Sequence, residues 1–369
     1  MIKKLRAFLW AGAAGAVLAG CVSADQPEPV PTHHPKPVDR PAPPIKTEQP
    51  RPSQPAPYVR SAPAGMADAI RDYWRAFPGK TGVAIQSIDD DWKMGERLND
   101  LFPQQSVSKT WVALTVLEQV DQGRLSLDQK VHIGLEDLTL FHQPIRARVL
   151  ANGGIDVSIR DLLEASVLTS DCTANDSLLR TVGGPTAVRA FIERHNLGQI
   201  RFGPGERLLQ SGIAGMEWRQ EYSLGNAFEA ARAKLPMAQR QAALNRYLAD
   251  PMDGASPGAI VGALAKLARG ELLSPSSTRL MLNMMSRVTS GPNRLKAGVP
   301  SDWSFGHKTG TGQILGAVST GYNDIGIMTA PDGKRYAVAV MMADTTAGIP
   351  DRMVFMQSIS RTVADYHRR

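Results

Sequence analysis

The chain has 369 residues, of which 43% are hydrophobic and 21% are charged. This composition excludes a wholly disordered chain and a histone-like protein, and the length suits one large domain or two modest ones. Two cysteines are too few for a disulfide-rich scaffold or a cysteine-built zinc site. The formal charge is +7. Part of it lies at the extreme N-terminus, and the remainder is typical of scattered, solvated side chains, so we expect no nucleic-acid partner.

Residues 1–20 are typical of a bacterial lipoprotein signal peptide. Three basic residues precede an apolar run over 7–19 that is too short to span a bilayer as a helix. The run ends in Leu-Ala-Gly-Cys, which resembles a lipobox, and this resemblance implies cleavage before Cys21 and lipidation of its thiol. An ordinary signal peptide with an incidental cysteine is the alternative. Because Val22 rather than an acidic residue follows, we expect a periplasmic protein anchored to the outer membrane.

Residues 21–65 are expected to form the lipidated cysteine and a disordered tether behind it. Half of the chain's 26 prolines lie in this segment. Proline fixes φ and lacks a backbone donor, so neither a helix nor a strand is predicted. As a polyproline-like chain, about forty residues could extend on the order of 100 Å. A ligand for a proline-binding module is the alternative.

The remaining body, residues 66–369, begins and ends with strand patterns. After a helical pattern over 67–77, residues 81–88 alternate like a strand, and 92–98 could be the hairpin partner. Near the C-terminus, a Pro-Asp-Gly turn signal separates two further strand patterns, and a last helical pattern follows. These segments are 325–329 and 336–342 as strands and 352–366 as a helix.

Between these ends, the spacing of apolar residues predicts helices almost throughout. The predicted helices are 110–122, 159–166, 175–182, 185–195, 227–235, 239–248 and 259–267. Strands from both chain ends around a helical middle favour an α/β (α+β) fold, in which helices flank a mixed antiparallel sheet and an all-α domain is inserted. We expect the α/β part to comprise about 66–105 and 295–369 and the all-α part about 106–294, with a cleft where they meet.

A Ser-x-x-Lys motif, Ser106 to Lys109, opens the predicted helix 110–122. Residues three apart on a helix share a face, so the Lys109 amine could reach the Ser106 hydroxyl. It could then accept the hydroxyl proton or stabilise the alkoxide, which would make Ser106 a nucleophile. The motif is short enough to occur by chance.

Two further motifs follow along the chain. Lys-Thr-Gly at 308–310 lies in a strand predicted over 303–311, where Lys308 and Gly310 would face alike and the glycine would let a substrate backbone approach. Ser-Asp-Cys at 170–172 precedes a predicted helix. Its alternative interpretation is a helix cap formed by the first or second of these residues.

The order and spacing of the three motifs resemble the serine β-lactamase and penicillin-binding protein superfamily, and most closely the class A β-lactamases, whose motifs read S-x-x-K, S-D-N and K-T-G. The similarity covers about residues 66–369 and includes segments outside the motifs, at 120–128, 183–185 and 296–303. It implies a serine hydrolase that cleaves the β-lactam amide through an acyl-enzyme. It also implies a small-molecule β-lactam as the substrate. The histidines and cysteines show no metal-ligand spacing, so we expect no metal or cofactor, and we expect a monomeric protein.

The resemblance implies a role for each matching residue. Ser106 corresponds to the acylated nucleophile and Lys109 to its proton partner. Ser170 corresponds to the serine that passes a proton to the β-lactam nitrogen. Lys308 and Thr309 correspond to the residues that hold the substrate carboxylate.

Other substrate-binding positions are implied beside these. Gly310 completes the third motif, and the backbone N–H groups of Thr311 and the nucleophile would form the oxyanion hole. Arg294 stands where some relatives place a carboxylate-binding arginine, although a surface arginine is the alternative. Cys172 replaces the family's Asn. A thiol is a weaker donor and acceptor than an amide, so Cys172 could bind substrate or only fill space.

The interval between the second and third motifs looks longer than in typical relatives. Class A enzymes carry in this interval a glutamate that activates water for deacylation. We prefer Glu206, because it begins Glu-Arg-Leu-Leu-Gln, which is similar to the family's Glu-x-x-Leu-Asn. Glu217 and Glu221 are the alternatives. We place the extra helical material, about 227–248, after Glu206.

The presence or absence of this glutamate at the active site distinguishes the functional hypotheses, of which there are three. A β-lactamase needs a base that activates water against the acyl-enzyme. A DD-peptidase or penicillin-binding-protein-like enzyme, acting on cell-wall peptides, uses the same serine and lysine but is trapped by penicillin. A non-catalytic, lipid-tethered wall-binding protein is the third hypothesis, and the cysteine at 172 lends it some weight.

Overall fold

The structure, a computed structural model, describes residues 61–368. The signal peptide, Cys21 and nearly all of the tether lie outside these residues. The helices are α1 Met66–Ala76, α2 Lys109–Asp121, α3 Arg146–Asn152, α4 Ile159–Leu168, α5 Cys172–Thr181, α6 Gly184–Arg194, α7 Glu206–Ala214, α8 Ala227–Ala233, α9 Met237–Ala249, α10 Pro257–Arg269, α11 Pro275–Ser286 and α12 Ile349–His367. The strands are β1 Lys80–Ser87, β2 Lys93–Glu96, β3 Phe102–Pro103, β4 Lys130–Ile133, β5 Ile155–Ser158, β6 Gly254–Ala255, β7 Ser304–Thr311, β8 Ile314–Leu315, β9 Val318–Ser319, β10 Tyr322–Thr329 and β11 Arg335–Ala343.

Strands from both ends of the body form one antiparallel sheet, in the order β2-β1-β11-β10-β7. Side chains of successive strand residues point to opposite faces, so the central strands contribute to two cores. In β11, Val338 and Val340 pack with α1 and α12, whereas Ala337 and Ala339 pack with the helical region. The small alanine side chains let α10 lie close against this face of the sheet. The α/β fold that the sequence predicts is therefore observed.

Helix α2 lies in the middle of the helical region, against α4, α5, α6 and α11. Nearly all of its side chains are buried. This explains why its sequence shows no polar stripe, since a helix that is apolar on all sides belongs in a core. Its N-terminus faces the sheet, close to β7. The core packing of α2 therefore fixes the position of the turn that carries Ser106.

The structure also contains elements that the sequence patterns do not predict. Helices α3, α7 and α11 are additional, and β4 pairs with β5 inside the part expected to be all-α. The start of α11 has a readable signal, because Ser274 caps it and Pro275 occupies its first turn. The β4–β5 pair joins segments far apart in sequence, which local patterns do not reveal. No helix within 61–368 has the length and apolar character to cross a membrane.

Candidate active site

Ser106 lies in a 3₁₀ turn, Gln105–Ser108, that leads directly into α2. Lys109, the first residue of α2, donates a hydrogen bond to Ser106 Oγ at 3.0 Å. Lys109 is fully buried, whereas Ser106 is partly exposed and lines a cavity of about 260 Å³. The Ser106 hydroxyl therefore faces both a buried ammonium group and a space that could hold a substrate.

The Lys109 ammonium group has three acceptors around it. They are Ser106 Oγ, Glu206 Oε1 in direct contact, and Cys172 Sγ at 3.6 Å. Because an ammonium group carries three protons, this environment satisfies all of them. Cys172 thus takes a place in the site that an amide oxygen could fill, and it does so as a weaker acceptor.

Charge interactions set the protonation of this cluster. Burial alone would lower the pKa of Lys109, but the Glu206 carboxylate in direct contact outweighs it and raises that pKa. Burial and the nearby Glu206 charge raise the pKa of the Cys172 thiol, so the thiol is neutral and Glu206 supplies the negative charge. Burial also opposes ionisation of Glu206, yet Lys109 holds the Glu206 pKa below its ordinary value. The resting site therefore contains a Lys109–Glu206 ion pair.

Ser170 and Lys308 form a second serine–lysine contact at the same cavity. Lys308 Nζ donates to Ser170 Oγ and to the carbonyl of Thr309, each at 3.0 Å. Ser170 has φ +64°, a left-handed conformation that costs energy for a residue with a Cβ and is typical of functional sites. Asp171, not Ser170, caps α5, because its carboxylate accepts from the N–H of Ala174. The Ser170 hydroxyl is therefore left to face the cavity.

The pKa of Lys308 is lowered to about 7 by burial and by the positive charges of Lys109 and Arg294. The charged form is present below this pKa and is lost as the pH rises through it. If Lys308 binds the substrate carboxylate, we expect KM for penicillin to rise about tenfold from pH 6 to pH 8, as the competent fraction falls. Steady-state kinetics across this range measure the effect. Lys308→Arg, which keeps its charge, should flatten the rise, and a pH-independent KM in the unmodified chain would contradict the assignment.

Gly310 brings β7 against the segment that precedes Ser106. A Cβ at Gly310 would lie 2.3 Å from the carbonyl oxygen of Gln104. The close approach is therefore to the chain's own backbone, and this corrects the expectation that the glycine makes room for substrate. On the neighbouring strand β10, the Asn323 amide donates to the carbonyls of Pro103 and Gln104, at 2.8 and 3.0 Å. Together these contacts fix the strand that carries Lys308 relative to the Ser106 turn.

Arg294 is buried against the same strands and is not a surface residue. Its guanidinium group donates to the carbonyls of Asn323 and Gly310, at 2.6 and 3.0 Å, and to Thr311 Oγ1 at 2.6 Å. It also stacks on the Tyr322 ring, with the guanidinium carbon 3.8 Å from the ring centroid. Arg294 and Thr311 line the cavity, so a fixed positive charge borders the space beside the third motif.

Glu206 is the one of the three candidate glutamates that the structure places at the cavity. It is buried at the start of α7, and its N–H donates to Asp176 Oδ1 at 3.1 Å. Glu217 and Glu221 are exposed, and Glu221 pairs with Arg219 at 3.0 Å. Neither of these two carboxylates lies among the residues that line the cavity.

Several residues of the site have no counterpart among the sequence-based candidates. Asp176 lies on α5 four residues after Cys172, so helical periodicity would have placed it on the same face. Burial and the Glu206 charge raise the pKa of Asp176 to about 6. Gln210, which ends the Glu-Arg-Leu-Leu-Gln segment noted in the sequence, also lines the cavity. The unpredicted residues that line it are Phe141, His142, Thr169 and Ser290. They come from separate loops and helices, and no local pattern marks them.

The fold and the site define a serine hydrolase of the acyl-transfer type. Two serine–lysine contacts and a buried carboxylate meet in one cavity between an antiparallel sheet and a helical region. The model of the β-lactamase enzyme family matches residues 65–367, and the chain belongs to this family. The similarity to class A β-lactamases that the motifs indicate is thereby confirmed.

Individual relatives agree with this assignment. β-Lactamase VEB-1 of Pseudomonas aeruginosa is 26% identical over 300 residues, which cover 80% of this chain and 89% of the relative. Extended-spectrum β-lactamase PER-1 of the same species is 28% identical over 296 residues, covering 77% and 82%. The crystal structure of a β-lactamase from Chitinophaga pinensis is similar with a TM-score of 0.66 and 29% identity, and covers 81% of this chain and 98% of that one.

Proposed function

We propose that this chain is a class A-like serine β-lactamase that hydrolyses the β-lactam amide through an acyl-enzyme on Ser106. The observation that carries the proposal is the Glu206 carboxylate, which is ionised, buried at the cavity and bridged by Lys109 to the Ser106 hydroxyl. A base in this place can activate water against an ester on Ser106. Trapping by penicillin, as in a DD-peptidase, would need no such base.

In the acylation step, Ser106 Oγ attacks the lactam carbonyl carbon. Lys109 contacts both Ser106 and Glu206, so it can accept the hydroxyl proton while it passes one of its own to the carboxylate. Transfer from Ser106 to Glu206 through a water is the alternative route. The oxyanion would lie near the start of the helical turn, where backbone N–H groups stabilise negative charge. Thr311, at the end of β7, lines the same cavity and would supply the second N–H.

Collapse of the tetrahedral intermediate breaks the C–N bond, and the departing nitrogen needs a proton. Ser170 can donate its hydroxyl proton and recover one from Lys308, which contacts Ser170 Oγ and has a pKa of about 7. The proton that Glu206 accepted during acylation is lost through the cavity and Lys308 regains one from solvent, so that Glu206 is ionised again. Glu206 then removes a proton from water as the water attacks the ester, and it returns this proton to Ser106 Oγ as the ester bond breaks and the product acid leaves. Lys308, Thr309 and Arg294 would hold the substrate carboxylate during both steps.

Intact-protein mass spectrometry during exposure to penicillin tests this function. A β-lactamase gives a transient adduct, with the penicillin converted to its hydrolysed form. An adduct that persists would instead indicate a DD-peptidase-like enzyme. The absence of any adduct or turnover would refute acyl transfer and favour a wall-binding role.

We further propose that the protein acts in the periplasm as a monomer, with Cys21 lipidated and attached to the outer membrane. Support comes from the lipobox-like sequence and from the fact that one chain supplies all the groups used above. Cys21→Ser should move the protein from the membrane pellet to the soluble fraction, because the acyl chains that anchor it are no longer added. Fractionation followed by immunoblotting measures this change. Pelleting that is unchanged in the variant would refute the anchor, and sedimentation of the soluble form would test the monomer.

A further inference from the structure

A buried polar network joins helix α9 to the turn that carries Ser106, and the steps above do not use it. Its centre is Tyr247 on α9, whose hydroxyl accepts from Gln105 Nε2 at 2.6 Å and donates to Asp253 Oδ1 at 2.8 Å. The other oxygen of Asp253 accepts from the backbone N–H of Gln105 at 2.8 Å. All three side chains are buried. Asp253 and Tyr247 therefore hold Gln105 at both its backbone and its side chain.

Gln105 is the residue directly before Ser106, and its backbone is in the left-handed region, with φ +54°. A residue with a Cβ rarely adopts this conformation, and it persists only where the surroundings determine it. The bonds from Tyr247 and Asp253 are among the contacts that hold it here, together with the bond from Ser108 Oγ to the Gln105 carbonyl at 2.7 Å. A hydroxyl that α9 supplies is thus one of the groups that fix the residue before Ser106.

The network continues to the carboxylate that we assign as the base. Gln105 Oε1 accepts from Gln210 Nε2 at 2.9 Å, and the same amide nitrogen lies 3.3 Å from Glu206 Oε2. An amide group bonded in this way has one orientation, because its oxygen and nitrogen are not interchangeable. Gln105 therefore connects Tyr247 to both the nucleophile and Glu206.

A buried hydroxyl is costly unless it is hydrogen-bonded, and an apolar side chain would fill the same space without that requirement. The Tyr247 hydroxyl is fully used as a donor and an acceptor within the network. We propose that Tyr247 is a positioning residue for the reaction, and that α9, part of the extra helical material, braces the Ser106 turn and Glu206 through Gln105. This inference rests on the proposed function, because it concerns the rates of the same acyl transfer.

Tyr247→Phe tests the inference by removing the hydroxyl alone. We expect deacylation of the penicilloyl adduct to slow about tenfold, with kcat reduced more than KM is changed, since a small displacement of the reacting groups has effects of at least this size. Tyr73→Phe, at an exposed tyrosine on α1, is the matched control and should leave both rates unchanged. Rates from quenched-flow mass spectrometry are compared well below the melting temperature of each variant. A purely structural tyrosine would lower that temperature without altering the deacylation rate.

Gln105→Met gives an independent test that does not need the Tyr247 variant to fold. It removes the side-chain bonds to Tyr247 and Gln210 but keeps the backbone bond to Asp253, and it should slow deacylation to a similar degree. Residues of one network are non-additive, so the double variant should be no slower than the slower single variant. Unchanged deacylation in the folded single variants, or effects that multiply in the double variant, would overturn the inference. If the unmodified chain never forms an adduct, the proposed function fails and this inference with it, whereas normal turnover in every variant overturns this inference alone.

Discussion

Ser106→Ala is expected to abolish both the penicilloyl adduct and penicillin turnover. The loss in kcat should be about 10⁶-fold, the size seen when a serine hydrolase loses its nucleophile. Lys109 and Glu206 would remain in place, because their ion pair does not depend on the Ser106 hydroxyl. Intact-protein mass spectrometry and hydrolysis of a chromogenic cephalosporin measure the two losses. Ser358→Ala, at a half-buried position on α12 that does not line the cavity, is the control and should be labelled like the unmodified chain.

An adduct on Cys172 in the Ser106→Ala variant would be the clearest evidence against Ser106 as the nucleophile. The Cys172 sulfur lies in the same cavity, so it is the alternative nucleophile. Burial raises the pKa of its thiol, and a neutral thiol is a poor nucleophile. A Ser106→Ala protein that still forms an adduct, mapped by peptide sequencing to Cys172 or Ser170, would show that the nucleophile is misassigned.

In the Glu206→Gln variant, we expect penicillin to form the penicilloyl adduct and the adduct to persist. An amide cannot take a proton from water, so deacylation should slow by about 10³-fold, within the range for loss of a general base. Acylation should be reduced less. Without the Glu206 charge, burial would lower the Lys109 pKa, and a neutral Lys109 could accept the Ser106 proton itself. Adduct formation and decay, followed separately by mass spectrometry, distinguish the two steps.

Glu217→Gln is the matched control for this variant. Glu217 is exposed and is not part of the cavity lining, so its loss should leave both steps unchanged. The opposite pattern, with normal turnover in Glu206→Gln and a stable adduct in Glu217→Gln, would mean that the segment after α7 rearranges when substrate binds. It would also remove the observation on which the proposed function depends.

Elements whose residues interact locally can be predicted well from the sequence. The alternation over 81–88 predicts β1, and the Pro-Asp-Gly turn signal predicts the pair β10 and β11. The helical spacing predicts α2, α4, α6 and α9, each to within a few residues. The motif containing Ser106 and Lys109 is local too, because helical geometry brings residues three apart together. The sequence leaves open whether Ser170 or Asp171 caps α5, and the side-chain geometry assigns the cap to Asp171.

Contacts between segments that are far apart in the sequence cannot be predicted from local patterns. Lys109 meets Glu206 across 97 positions, and Lys308 meets Ser170 across 138. The sequence could suggest these pairs only through resemblance to a family. For Arg294 it leaves open a carboxylate-binding role and a surface position. It did not indicate that Gly310 packs against the backbone before Ser106.

By itself, the sequence determined the fold class, the motifs that carry the chemistry and the family resemblance. These depend on periodicity and on residue types at short spacing, which a linear pattern preserves. The tertiary structure alone decided which carboxylate faces Lys109, which charges lower the Lys308 pKa, and that Tyr247 of α9 bonds Gln105. Burial and electrostatic interactions depend on distance in space, and the packing of α2 and the sheet sets those distances, not the number of residues between the groups.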